Sequence, residues 1–172
     1  MNIILVKPTE QLKEKALDYR REHFDHNEMI INGSALFDKT ESYEEWMDMA
    51  RRNANPQTVS PDWVLADVFF AMNSAQNEIV GMIDLRYELN DFLADFGNTG
   101  YSVRPSMRRK GYATGMLKQL LVIAKNAGMT RLQLSAERGN EASIKTIQRG
   151  GGRYQRSFEH DGKWADVYKI DL

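Results

Sequence analysis

The chain has 172 residues, a formal net charge of −1 and no cysteine. That length can bury a core, and one domain over residues 1–172 is the expectation. The missing cysteines exclude disulfides, zinc thiolates and a thiol nucleophile, and the near-zero charge excludes a global basic field for nucleic acid.

Residues 3–6 read as a short strand ended by Pro8. That apolar run is too short for a signal peptide and no segment approaches membrane-spanning length, so a soluble cytoplasmic protein is expected. Thr9 can cap a helix running to about residue 24, with Leu12, Ala16 and Tyr19 on its apolar face. His23 and His26 lie near its end. No carboxylate-rich partner motif accompanies them, so a solvated helix end is expected rather than a metal site. Residues 25–41 show no period and read as a loop able to lie over a cleft. Ser42 and Glu45 form a capping box. The helix they open should bury Trp46, Met49 and Ala50 and end near Asn53.

Residues 63–72 and 79–89 read as two strands of a hairpin around the turn at 73–77. In the second, Ile79, Ile83, Leu85, Tyr87 and Leu89 are assigned to one face, and Asp84, Arg86 and Glu88 to the other. The polar face is either a wetted sheet surface or one wall of an acceptor cleft. Residues 90–98 form either one helical turn or a loop on the acceptor side. A strand at 101–103 follows, closed by Pro105, which keeps Arg104 out of the helical region. A basic turn carries Arg108, Arg109 and Lys110. From Gly111 the pattern turns helical, with Ala113, Met116, Leu117, Leu120, Leu121 and Ala124 on one face and Gly128 as the stop. A strand at 131–135, a helix capped by Asn140 and running to about 149, and a hairpin of 154–158 with 164–170 around Asp161-Gly162 complete the chain.

Strand, basic glycine-bearing turn and amphipathic helix together make an anion site, because a helix start presents unpaired N–H groups and the positive end of its dipole. Neither a P-loop nor a dinucleotide fingerprint is present. Instead Arg108-x-x-Gly111-x-Ala113 follows Val103-Arg104-Pro105 directly. This resembles the acetyl-coenzyme A signature of the GNAT family of N-acetyltransferases, most strongly over residues 100–152. The resemblance implies an α/β (α+β) fold, a central mixed, mostly antiparallel sheet flanked by helices. The element order read above agrees with it. It also implies acetyl-CoA as acyl donor, a primary amine on a small molecule or peptide as acceptor, and no metal.

Carried over residue by residue, the resemblance assigns the pantetheine arm to the backbone of Val103. It assigns the pyrophosphate to the main chain of Arg108, Arg109, Lys110, Gly111, Tyr112, Ala113 and Thr114. A second signature, Asn140-x-x-Ser143, implies that Asn140 reaches the pantetheine amide and Ser143 faces the cofactor, although Asn140 also suits a plain helix cap. Many relatives carry a tyrosine four residues after that serine as general acid; this chain has Ile147. That departure leaves a second reading open, a non-catalytic acyl-CoA-binding module. For an enzyme, Glu88 is the favoured general base, on the polar face of its strand and partly buried, ahead of Tyr101 and Glu137. The acceptor and the oligomeric state, homodimer included, stay open.

Overall fold

A computed structural model describes residues 2–172. The elements are β1 (Ile3–Val6), α1 (Lys13–Asp25), α2 (Tyr43–Asn53), β2 (Ala66–Asn73), β3 (Glu78–Arg86), β4 (Tyr101–Val103), α3 (Tyr112–Asn126), β5 (Arg131–Glu137), α4 (Glu141–Arg149), β6 (Arg153–His160) and β7 (Lys163–Asp171). This is the order expected from the sequence.

The sheet comes in two halves, β1-β2-β3-β4 and β5-β7-β6. All five strand pairings are antiparallel. The halves meet below β4, where Gly97 bridges to Leu134 and Asn98 N donates to Gln133 O at 2.6 Å. The Asn98 side chain strengthens the joint by accepting from Gln133 N at 2.8 Å. Above that joint β4 and β5 are not paired, and the sheet is split.

Helices cover the first half-sheet on both faces. Ala16 and Tyr19 of α1 and Trp46 and Met47 of α2 pack on Val68, Phe70, Ile79 and Met82. On the opposite face Met116, Leu117 and Leu120 of α3 and Ile147 of α4 pack on Phe69, Ala71, Ile83 and Leu85, and on Leu132, Leu134 and Ile170 of the second half. Burial on both faces explains why the expected alternation in β3 fails. A strand between two helical layers has no wet side, so Val80, Met82 and Asp84 are buried along with Ile79, Ile83 and Leu85. β3 also ends at Arg86 rather than 89.

Several helix expectations change in the same way. Ser42 Oγ does accept from Glu45 N at 3.1 Å, and α2 does end at Asn53. Its buried stripe, however, is Tyr43, Trp46 and Met47, an i, i+3, i+4 set, while Met49 and Ala50 are half-buried. Thr9 makes no side-chain cap, and a short 3-10 turn at Glu10–Leu12 precedes α1. His23 is buried rather than solvated: it lies edge-on to Tyr19 at 4.8 Å, and its Nδ1 is 2.9 Å from Glu28 Oε2. His26 is exposed, as expected.

The segment after α1 is a series of tight turns, and it sits on β4. A Cβ at Gly33 would lie 2.2 Å from Gly100 O, so only glycine allows this approach, and its φ of 73° is left-handed as well.

Candidate active site

The split exposes one edge of β4. Asp84 N donates to Gly100 O at 3.2 Å and Arg104 N donates to Val80 O at 2.8 Å, so those residues turn their main chain toward β3. In an antiparallel ladder the next residues turn the other way. Tyr101 and Val103 therefore face the gap before β5. Val103 O already accepts there from Arg108 Nε, at 3.2 Å. The gap runs directly into the basic turn. A 3-10 turn at Pro105–Met107 leads to Arg109 at φ 64° and Gly111 at φ 83°, both left-handed, and Gly111 is the N-cap of the 15-residue α3. Successive N–H groups in such a turn form an anion-binding concavity, and the dipole of a full helix adds to it. The main chain of Arg108, Arg109, Lys110, Gly111, Tyr112, Ala113 and Thr114 is thus brought to one place.

The basic side chains divide by task. Arg104 is buried: its Nε donates to Ile79 O at 2.8 Å, and Nη1 pairs with Glu22 at 2.8 Å, Asp18 at 3.0 Å and Glu78 at 3.3 Å. It clamps the end of β4 to α1 and β3 and is not free for a phosphate. Arg108 forks onto Glu28 with bonds of 2.6 and 2.5 Å. That guanidinium holds the Glu28 carboxyl down to about 2, while burial pushes the neighbouring His23 imidazole down. Arg109 and Lys110 are exposed beside the turn. The ring of Tyr112 is buried, its hydroxyl accepting from Asn73 Nδ2 at 3.0 Å.

Across the gap stands the first turn of α4. Asn140 Oδ1 accepts from Ser143 N at 3.1 Å, the cap role. Its amide nitrogen is a separate group, so a cap does not exclude a second contact. Ser143 Oγ lies 2.8 Å from the Tyr101 hydroxyl, which reaches over from β4. Burial pushes the Tyr101 phenol up. Ile147, one turn further along α4, is wholly buried in the core.

The surroundings expected of Glu88 are not those it has. It is exposed in a bend beyond the end of β3. Ile83 is the residue level with Tyr101, so Glu88 sits five positions further along the chain, past the end of the strand at Arg86. Glu137 is exposed and pairs with Lys163 at 3.3 Å. The buried carboxylate is Asp84, held by Arg86 Nε at 2.8 Å and Gly100 N at 2.6 Å. Its burial pushes it up, against the pull of Arg86. Sequence reasoning missed Glu28 altogether. Its partner Arg108 is 80 positions away, and no local pattern marks such a pair.

Among the described residues no group of three or more His, Asp and Glu side chains could hold a metal ion, and no helix is long and apolar enough to cross a membrane. No curated protein matches the chain. Solved structures do. The Microcin C7 self-immunity acetyltransferase MccE, in complex with acetyl-CoA and AMP, superposes with a TM-score of 0.70 at 14% identity, over 99% of this chain and 92% of its own. An N-acetyltransferase from Staphylococcus aureus Mu50 gives 0.68 at 18% identity, over 99% of both chains. A spermidine N-acetyltransferase from Vibrio cholerae gives 0.66 at 13% identity, over 99% and 95%. At such identities these show a shared fold. A family model described as "Acetyltransferase (GNAT) domain" matches residues 4–153. The split sheet, the left-handed turn at the head of α3 and that match over most of the sequence lead to one conclusion: the chain belongs to the GNAT family of acetyltransferases.

Proposed function

We propose that the protein is an acetyl-CoA-dependent N-acetyltransferase that transfers the acetyl group to a primary amine, and we read residues 1–172 as one domain of that kind. The observation that carries this reading is the free edge of β4 running straight into the left-handed turn before α3. An extended amide-bearing arm fits the first, and a pyrophosphate fits the second. In this reading the main chain of Tyr101 and Val103 pairs with the pantetheine. The N–H groups of residues 108–114 take the pyrophosphate, with Arg109 and Lys110 as charge-assisted partners. Asn140 and Ser143 face the arm from α4. The acetyl-CoA complex of MccE, at a TM-score of 0.70, is consistent with this choice of donor.

The reaction is direct attack. The neutral amine adds to the thioester carbonyl, and the tetrahedral oxyanion collapses with loss of the thiolate. The site contributes proximity and main-chain N–H donors at the split. Glu88 is not part of the proposed site, and the proton of the attacking amine passes to solvent.

The replacement of the usual tyrosine by a fully buried isoleucine, Ile147, favours a second reading, a GNAT fold that binds acyl-CoA without turning it over. One experiment decides. Release of free thiol from acetyl-CoA is followed with a panel of polyamines, amino acids, peptides and aminoglycosides, alongside calorimetry for binding. Turnover with any amine supports the enzyme. Binding without turnover across the panel supports the module, and no binding sinks both.

A further inference from the structure

The chain lacks the α4 tyrosine, yet a phenol stands at the same stretch of α4. Tyr101 enters from the opposite wall of the split. Its main chain faces the gap, its ring packs with the core under α3 and α4, and its hydroxyl reaches Ser143 Oγ at 2.8 Å and Ser143 O at 3.4 Å. Ser143 lies about one helical turn before Ile147, an axial distance of about 6 Å. We propose that the Tyr101 hydroxyl is the proton donor to the departing thiolate, supplied from β4 instead of from α4. This rests on the acyl-transfer reading above.

The chemistry balances. As the C–N bond forms and the C–S bond breaks, sulfur keeps the electron pair of the broken bond. The phenol proton moves from Tyr101 Oη to sulfur, giving the free thiol. The amine nitrogen releases one proton to water, and water returns one to the tyrosinate, so one proton passes in net from nitrogen to sulfur. Three features suit Tyr101 to this. Burial raises its phenol above the usual value near 10, so it stays protonated through neutral pH. Ser143 can act as donor in their mutual hydrogen bond, which leaves the phenol proton held only by the long 3.4 Å bond to Ser143 O and able to move to another acceptor. The ring is held between two walls, so the hydroxyl is placed before any substrate arrives. Neither Glu88 nor Glu137 competes for this role, both being exposed.

The test is Tyr101→Phe, assayed with an amine on which the wild-type protein turns over. The expected result is a kcat about 100-fold lower, within the usual worth of a general acid, with the calorimetric Kd for acetyl-CoA within about twofold. A kcat within about threefold of wild type overturns the assignment and leaves the acyl-transfer reading intact. A second variant guards against misfolding. With 3,5-difluorotyrosine at position 101, size is nearly kept and the phenol becomes more acidic. The fall in kcat at alkaline pH should then move to lower pH, which a purely structural tie to Ser143 would not produce. An unmoved profile counts against Tyr101. A wild-type protein that releases no thiol with any amine overturns this proposal together with the reading beneath it.

Discussion

The two half-sheets are built to different standards. The β1–β4 half lies between two helical layers; β2 and β3 are buried almost end to end, and the buried charges inside it are paired, Asp84 with Arg86 and Arg104 with Glu22. The β5-β7-β6 half is covered by α3 and α4 on one side, and β6 is exposed or half-exposed along its whole length. Its ion pairs are surface pairs, such as Arg156 with Asp95. The proposed site lies on the seam. The lesson is that the buried half supplies fixed geometry, the edge of β4, while the wetter half keeps its charges in solvent. The same kind of residue then carries a different weight on each side, because an unpaired charge is costly only where water cannot reach it.

That contrast can be broken most directly at Asp84. Its removal in Asp84→Ala leaves Arg86, 14% exposed, without its counter-ion and Gly100 N without an acceptor. A loss of about 3 kcal/mol is expected, measured by urea unfolding. Asp95→Ala, which breaks a pair about 45% exposed on both sides, should cost under about 1 kcal/mol. Equal losses would show that the two halves do not differ as described.

Gly111 sharpens the picture of the seam. It is left-handed, so any side chain there strains the turn by about 1–2 kcal/mol. Gly111→Val should in addition crowd the pyrophosphate and weaken acetyl-CoA binding at least tenfold, about 1.4 kcal/mol. Unchanged affinity in a folded variant, read by calorimetry, would remove the turn from the proposed site.

Glu28 tests how firmly the segment after α1 is strapped to the turn. Arg108 holds its carboxyl down to about 2 in the folded protein, below the unfolded value of about 4.3. The folded state binds that proton less readily, so the bridge stabilises above about pH 5 and its contribution is lost as pH falls through about 2. The pair is partly exposed, and screening limits it to about 1 kcal/mol. Wild type should exceed Glu28→Gln by that amount at pH 7, and the two unfolding curves should converge on acidification. A constant difference would argue against the bridge.

The smallest effect is expected at Trp164, half-exposed on β7 with Arg138 over its ring at 5.3 Å. Trp164→Ala should change stability by no more than about 0.5 kcal/mol. A large loss would mean that the outer face of this half-sheet is not the wet surface it resembles.

Sequence alone determined the parts whose causes are local. Glycine and asparagine chemistry set the stops: Gly128 at φ 87° past α3, Asp161-Gly162 at 49° and 74° between β6 and β7, Asn140 capping α4. Proline and glycine around the basic turn marked the head of α3, and the signature there placed the chain in its family. Tertiary structure decided everything that depends on partners far along the chain. It put Asp84 inside, because helices on both sides of β3 leave no solvent face. It buried His23, gave Arg108 to Glu28 and Arg104 to Asp18, Glu22 and Glu78, and set Glu88 beyond the strand end. It also brought Tyr101 to Ser143, 42 positions away. Local propensity fixes a residue's backbone state; its solvent and its partners are fixed by the layers that close over it.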